Sequence, residues 1–183
     1  SADVWVMAPM ITLPEEAEAF VALANSIGIK TAGVMIEVPA AVLLADEITS
    51  VSNFVSIGTN DLGQYLHAAD RESAALAHFN NPWQPALLHA VHRVATSGSA
   101  NNCPVGVCGE AASDPTLAAV LIGLGVTSLS CNVSTIEDIA IAMTHLSHLE
   151  MREAARAALR ARNAKDAKDF AREHLPTLAS LGL

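Results

Sequence analysis

The chain has 183 residues, a formal charge of −9, 51% apolar residues and a mean hydropathy of +0.35. This length suits one well-buried domain. An acidic chain without a basic stripe argues against nucleic acid as a partner. No apolar run reaches the roughly 18 residues of a membrane span. The three cysteines, an odd number, are typical of a reducing compartment such as the cytoplasm rather than of a disulfide scaffold.

Short apolar runs alternate with helical patterns along the chain. Strands are predicted at residues 4–8, 31–36, 53–57, 103–107 and 127–131. Helices are predicted at residues 14–28, 39–45, 62–68, 83–95, 115–122 and 136–146. Proline in the first turn, acids near the positive end and a terminal glycine mark the first of these helices. The alternation predicts an α/β fold.

Strands that are apolar on both faces and alternate with helices are typical of a parallel sheet covered by helices. Five such strands can form a complete doubly wound sheet, but the glycine-rich phosphate-binding sequence expected after its first strand is absent. Reactive residues instead follow three successive strands, which is typical of (β/α)₈ enzymes. We therefore predict part of a (β/α)₈ (TIM-type) barrel.

The composition changes near residue 150, where alanine, arginine, lysine and aspartate take over with helical spacing. This predicts a helical tail at residues 151–183, on the outside of the same domain as a barrel portion at residues 1–150. The high apolar content also predicts a face that another protein surface covers.

Two carboxylates follow neighbouring predicted strands. Glu37 and Asp61 are 24 residues apart, about one βα unit, and adjacent strands lie roughly 5 Å apart. Such a pair can share a hard cation, and Mg²⁺ takes one or two protein carboxylates and completes its shell with water and substrate oxygens. Alternatively, Asp61 caps the helix that follows and Glu37 pairs with a lysine or arginine.

Two further side chains are suited to an anionic substrate. Asn60 offers a neutral amide to a phosphate or carboxylate oxygen, although asparagine is also common in turns. Arg71, ten residues after Asp61, can bind an anion through two parallel hydrogen bonds. Considered alone, Arg71 is better explained as a solvated surface residue.

Cys108 ends the fourth predicted strand. A buried cysteine is most often a small apolar residue. An unperturbed thiol is protonated at neutral pH, however, and can give a proton to a carbanion or enolate. The next helix is predicted only near Pro115, so no helix N-terminus is expected at the sulfur. Cys103 and Cys131 are interpreted as strand packing.

Several ordered motifs resemble the phosphoenolpyruvate-utilising enzymes. The matching segments are Pro9-Met10-Ile11, Met35-Ile36-Glu37-Val38-Pro39-Ala40-Ala41, Phe54 to Tyr65, Asp70-Arg71 and Gly106-Val107-Cys108-Gly109-Glu110. They are most similar to the enzyme I family of the bacterial sugar phosphotransferase system. Gln64-Tyr65 together with Asp70-Arg71 favours that family over the pyruvate-phosphate dikinases.

The resemblance implies a function and a set of roles. In that family, Mg²⁺-bound phosphoenolpyruvate donates its phosphoryl group to a histidine on a separate, mobile domain during sugar uptake, and pyruvate is released. By resemblance, Glu37 and Asp61 are the metal ligands. Asn60, Asp61 and Arg71 bind the substrate, and Cys108 is the catalytic proton donor that converts the enolate to pyruvate.

The resemblance extends from residue 9 to about residue 141. The histidine domain and the first strands of the family's barrel have no counterpart in the chain. It therefore resembles the C-terminal half of the barrel, roughly strands four to eight, and is expected to have little or no phosphotransfer activity alone. The implied partners are phosphoenolpyruvate, pyruvate, the histidine-bearing domain and the phosphocarrier protein. A second copy of the chain is also expected, because a half barrel leaves open sheet edges.

Two alternatives remain from the sequence. The chain can be the equivalent region of pyruvate-phosphate dikinase or phosphoenolpyruvate synthase. It can also be a non-catalytic half-barrel module for binding or assembly. The joint presence of Glu37, Asp61, Arg71 and Cys108 argues against the second alternative.

Overall fold

A computed structural model describes residues 3–183, in which five β-strands form one sheet. The strands are β1 (Trp5–Ala8), β2 (Thr31–Ile36), β3 (Val55–Gly58), β4 (Val105–Cys108) and β5 (Ser128–Ser130). All five predicted strands are present, and each of their ends lies within two residues of the predicted position.

Ten α-helices occur within residues 3–183. They are α1 (Pro14–Ser26), α2 (Pro39–Leu43), α3 (Ala45–Val51), α4 (Thr59–His67), α5 (Pro85–Ala100), α6 (Pro115–Gly123), α7 (Ile136–His145), α8 (His148–Leu159), α9 (Ala164–Glu173) and α10 (Pro176–Ser180). The last three occupy the segment whose composition predicted a helical tail. No helix in the part of the chain described is long and apolar enough to cross a bilayer.

Three helix predictions are corrected, and one of them is the helix predicted at residues 83–95, which is α5 at Pro85–Ala100. The single helix predicted at residues 39–45 is two short helices that meet at Leu44, and α3 extends to Val51. Arg93 stabilises this break, since its Nε and Nη2 donate hydrogen bonds to the carbonyls of Val42 and Leu43. Helix α4 begins three residues earlier than predicted, because β3 passes into it without a loop.

The sheet is parallel throughout, and its strands follow one another in sequence order from β1 to β5. A doubly wound sheet reverses its strand order at a switch point. With right-handed crossovers and no reversal, the connecting helices accumulate on one face, as they do around a barrel. The order therefore confirms the predicted partial barrel and excludes the doubly wound alternative.

The core lies between this face and the helices. Ile36, Ile57 and Val107 are paired across β2, β3 and β4 and are completely buried. The intervening residues Ser56 and Gly106 are paired on the opposite face, which is the interior face in a closed barrel. The two outer strands, β1 and β5, are partly exposed, whereas β3 is buried along its whole length.

Candidate active site

Glu37 directly follows β2, and its side chain is buried. Only 3% of the residue is exposed, and the Met10 amide donates a 2.8 Å hydrogen bond to Oε1. Met10 has a φ of +59°, an uncommon conformation for a residue other than glycine. Such strain persists only where the surrounding structure holds it. The loop after β1 therefore fixes the Glu37 carboxylate.

The burial of Glu37 has an electrostatic consequence. No lysine, arginine or histidine forms a salt bridge with it within residues 3–183. Burying a carboxylate costs several kcal/mol unless a cation or several donors compensate. One backbone amide offsets only part of that cost, so the position favours a cation. The pairing with a lysine or arginine considered from the sequence is not observed.

Four consecutive residues where β3 passes into α4, the 58–61 segment, each contact a different part of the candidate site. Gly58 lies against Glu37, because a Cβ on Gly58 would be 2.5 Å from Glu37 Oε2. Thr59 is buried, and its hydroxyl donates a 2.8 Å hydrogen bond to the Cys108 carbonyl. A larger residue at position 58 would displace the carboxylate, which explains the glycine.

The other half of the 58–61 segment contacts polar residues nearer the surface. Asn60 Oδ1 accepts a 3.3 Å hydrogen bond from the Glu110 amide. Asp61 Oδ1 lies 3.4 Å from Arg71 Nη1. Asp61 belongs to the first turn of α4 rather than to the end of β3, which corrects its predicted position at a strand end. It remains beside the strand end because α4 starts at once.

Cys108 ends β4 in register with Gly58. Its half-buried thiol donates a 3.5 Å hydrogen bond to the Ile57 carbonyl. Val107 and Ile36 face the helices, and successive residues of a strand point to opposite faces of the sheet. Cys108 follows Val107 and Glu37 follows Ile36, so both lie on the interior face. Glu37 and Cys108 are thus both in contact with the 58–61 segment.

Gly109 connects Cys108 to the next element. It has a φ of +97°, and a Cβ there would be 2.6 Å from Thr59 Oγ1 and 2.9 Å from Asn60 Oδ1. A single 3₁₀ turn, Glu110–Ser113, then precedes α6. This turn was not predicted, because its four residues carry no helical periodicity of their own.

A cavity of about 490 Å³ lies beside the 58–61 segment. It is lined by Asn60, Arg71, Ala77, Asn80 and Glu110. This volume is within the usual range for small-molecule sites. The structure thus places Asn60 and Arg71 in one cavity, while Glu37 and Cys108 adjoin it through the 58–61 segment rather than lining it.

The donor set fits a divalent cation with few protein ligands. Within the described residues no three His, Cys, Asp or Glu side chains converge, as a structural zinc site would require. Glu37 and Asp61 supply two carboxylates from neighbouring elements. Hard cations such as Mg²⁺ commonly accept this number and complete their shell with water or substrate oxygens.

Sequence reasoning missed several residues that hold the site together. They are Met10, Gly58, Thr59 and Gly109, all of them inside the motifs that carry the resemblance. Gln64 Oε1 accepts a 3.0 Å hydrogen bond from the Arg71 amide. The signal for the missed residues was membership of a motif, since none is a carboxylate, histidine or cysteine, the residue types used to find the candidate site.

Comparison with known sequences decides the family. The sequence model of one protein family, the phosphoenolpyruvate-binding domain of phosphoenolpyruvate-utilising enzymes, matches residues 1–148. The chain belongs to this family. Residues 3–148 contain the whole sheet, α1 to α7 and every candidate residue of this phosphoenolpyruvate-binding domain.

Relatives of this phosphoenolpyruvate-binding domain are much longer proteins. A phosphoenolpyruvate-protein phosphotransferase of Streptomyces coelicolor is 46% identical over 132 residues, which are 72% of this chain and 24% of that protein. A probable phosphoenolpyruvate synthase of Pyrococcus abyssi is 35% identical over 141 residues, 74% of this chain and 17% of that protein. The chain therefore spans a quarter or less of the length of these curated relatives.

The fold of the phosphoenolpyruvate-binding domain has solved counterparts. A citrate lyase from Burkholderia xenovorans superposes with a TM-score of 0.57 at 14% identity, covering 97% of this chain and 64% of that one. Identity this low shows a shared fold alone. The superposition supports the partial barrel inferred from the strand order.

Proposed function

We propose that the chain is the C-terminal part of the barrel of a phosphoenolpyruvate-protein phosphotransferase of the enzyme I type. The reaction moves the phosphoryl group of phosphoenolpyruvate to a histidine on a separate domain and releases pyruvate, as the first step of sugar uptake in the cytoplasm. The observation that carries this proposal is the 58–61 segment, which contacts Glu37, Cys108, Glu110 and Arg71 in turn.

Substrate binding is assigned to Asn60, Asp61 and Arg71. Phosphoenolpyruvate is a small anion, and the chain carries a formal charge of −9, so a local cation has to attract it. The Arg71 guanidinium supplies that charge at the 490 Å³ cavity, and the Asn60 amide adds hydrogen-bonding capacity without charge.

Glu37 and Asp61 would hold Mg²⁺. Their support is chemical: two carboxylates, one of them buried without a paired cation. A magnesium ion bound there would stabilise the negative charge that develops on the oxygen between phosphorus and C2. The Met10 amide and Gly58 keep the Glu37 carboxylate in one orientation, which reduces the cost of reorganisation on binding.

Cys108 acts after phosphoryl transfer. The P–O bond to the bridging oxygen breaks, the phosphoryl group passes to the histidine nitrogen, and the bridging oxygen keeps the electron pair as pyruvate enolate. The enolate carbon C3 then takes the proton of the Cys108 thiol, forming a C–H bond and leaving a thiolate. A proton from water restores the thiol. The hydrogen bond from Sγ to the Ile57 carbonyl orients the proton donor beforehand.

The test separates phosphoryl transfer from pyruvate formation in the longest natural polypeptide that contains this chain. Cys108→Ala is expected to slow pyruvate release by about 10²–10⁴-fold, the usual contribution of a general acid, with phosphoenolpyruvate affinity unchanged. Cys131→Ala, a half-exposed cysteine at the edge of the sheet, is the matched control. Unchanged pyruvate release in Cys108→Ala would refute the assigned role.

Residues 1–183 alone are expected to form little or no pyruvate from phosphoenolpyruvate, Mg²⁺ and the acceptor protein. A second candidate function is supported by the Pyrococcus abyssi relative, a probable phosphoenolpyruvate synthase. The contact between Gln64 and Arg71 joins the two motif positions that favour the enzyme I type. Phosphoryl transfer that depends on a nucleotide rather than on a carrier protein would favour the synthase or dikinase instead.

Self-association is part of the proposal. Strand β1 is a sheet edge, and Trp5 and Met7 on it are 56% and 44% exposed. An exposed apolar edge strand readily pairs with another chain. On this basis we propose that the isolated 183-residue chain pairs with a second copy of itself, whereas in a complete barrel the preceding strands would cover this edge. The histidine-bearing domain and the phosphocarrier protein are further proposed partners.

A further inference from the structure

The side-chain amide of Asn80 is buried, and no hydrogen-bond partner in the described part of the chain explains its burial. Its Nδ2 and Oδ1 are both buried, and neither has a hydrogen-bond partner among the described residues. Buried polar groups are nearly always hydrogen-bonded in native proteins, and an unpaired amide lowers the stability of the fold. Within residues 3–183, only Ser52 Oγ shares this condition.

The backbone around Asn80 is firmly held. The Asn80 amide donates a 3.1 Å hydrogen bond to the Ala77 carbonyl, and Gln84 Nε2 donates one of 2.9 Å to the His78 carbonyl. Asn81 Oδ1 accepts a 2.9 Å hydrogen bond from the Trp83 amide. The turn between residues 77 and 84 therefore positions the Asn80 side chain without using its amide.

Asn80 borders two cavities. One is the 490 Å³ cavity that contains Asn60 and Arg71. The other, about 520 Å³, lies towards α9, and its charged side chains pair with each other. These pairs are Lys168 with Asp114 at 3.2 Å and Lys165 with Asp169 at 2.5 Å. The first cavity is lined by Arg71 and by the acidic Glu110. Arg71 Nη1 lies 3.4 Å from Asp61, but a guanidinium has five N–H donors and can still bind an anion beside an amide.

We propose that Asn80 is a further substrate-binding residue, which turns its amide into the 490 Å³ cavity and donates from Nδ2 to an anionic oxygen of phosphoenolpyruvate. This inference rests on the proposed function. Arg71 is anchored at its backbone by Gln64, but its side chain is 47% exposed. An amide donor on the turn at residues 77–84 gives the substrate a second, more rigid contact and adds no charge that would hold the product.

The decisive substitution is Asn80→Leu, which keeps the size of the side chain and removes both polar atoms. Because the unpaired amide destabilises the fold, the thermal midpoint is expected to stay the same or rise. The dissociation constant of phosphoenolpyruvate in the presence of Mg²⁺ is expected to increase about tenfold or more, the effect of losing a hydrogen bond to a charged group. Asn80→Asp should weaken binding further by repulsion.

Ser52→Ala is the matched control. It removes the other unpaired buried polar atom, which precedes β3 at the end of the strand opposite the 58–61 segment. It should change stability in the same direction as Asn80→Leu and leave phosphoenolpyruvate affinity unchanged. In ¹⁵N-labelled protein, the side-chain amide signal that Asn80→Leu abolishes should shift on addition of phosphoenolpyruvate with Mg²⁺.

The outcomes are distinguishable. If the unsubstituted protein binds phosphoenolpyruvate and Asn80→Leu binds it within twofold, the inference is overturned while the proposed function stands. A joint fall in thermal midpoint and affinity would also overturn it, because the amide would then be structural. If the unsubstituted protein of natural length does not bind phosphoenolpyruvate at all, the proposed function fails and this inference with it.

Discussion

Arg71 Nη1 lies 3.4 Å from Asp61 Oδ1, so the side chain assigned to the substrate is paired with a carboxylate assigned to the metal. The side chains are 47% and 27% exposed, and ion pairs of this kind contribute little to stability. The pairing instead holds Arg71, which lines the 490 Å³ cavity, beside Asp61 in the first turn of α4. The two charges are thereby positioned together, ten residues apart in sequence.

Two single substitutions test this relationship. Asp61→Asn and Arg71→Met should each change the free energy of unfolding by less than about 1 kcal/mol, because the pair is exposed to solvent. Each should nevertheless weaken phosphoenolpyruvate binding strongly, since one removes a proposed metal ligand and the other the proposed substrate-binding cation. Urea unfolding and calorimetric titration measure the two effects. A large stability loss with unchanged binding would assign the pair to the fold.

Glu37→Gln removes the charge of the buried carboxylate and keeps the size of the side chain. The amide oxygen of glutamine can still accept the hydrogen bond from Met10, and the buried charge disappears. Stability without metal is therefore expected to be equal or higher, whereas the increase in melting temperature caused by Mg²⁺ should be lost. Glu47→Gln, an exposed acid on α3, should keep that increase. Equal Mg²⁺ responses in all three proteins would remove Glu37 from the metal site.

Two glycines near the site should respond oppositely to alanine. Gly58→Ala places a methyl group 2.5 Å from Glu37 Oε2 and should lower the free energy of unfolding by about 1–3 kcal/mol, the range for overpacking. Gly63→Ala, inside α4 with no atom within 4 Å of the added carbon, should raise it by about 0.5–1 kcal/mol. Chemical denaturation measures both. A neutral Gly58→Ala would mean that the carboxylate has room to move.

Cys103 predicts a change in stability at alkaline pH. Burial raises the pKa of its thiol from 9.0 to about 11. Above pH 9 the unfolded chain loses this proton while the folded chain keeps it. The thiol's contribution to the free energy of unfolding is therefore complete below pH 9 and is lost between pH 9 and 11. The difference in unfolding free energy between the natural protein and Cys103→Ala should therefore shrink by about 1–2 kcal/mol from pH 8 to pH 10.5. A pH-independent difference would contradict the raised pKa.

The exposed edge of the sheet predicts association of the isolated 183-residue chain. Met7 on β1 is 44% exposed, and Met7→Lys places a charge on this edge, which natural sheets use against pairing. Light scattering should show a dimer or larger species that Met7→Lys reduces. Leu23→Lys, on the exposed side of α1, is the control for added charge. A clean monomer of the unsubstituted chain at tens of micromolar would count against edge pairing.

The amino-acid sequence by itself determined the five strands, most of the helices between them, and the positions of Glu37 just past β2 and of Cys108 at the end of β4. These follow from local periodicity and from residue types that break it, and both can be read within a short window. The start of α4 could not be read this way, because Thr59, Asn60 and Asp61 carry no apolar stripe and resemble a turn.

Only the tertiary structure decided which of these residues meet. The contacts of Thr59 with Cys108 and of Met10 with Glu37 join residues 49 and 27 positions apart, and they depend on the register of parallel strands. Asn80 is the clearest case, since an asparagine in a turn is unremarkable until its amide is found buried and unpaired beside the cavity. Packing, unlike periodicity, is a property of the whole chain.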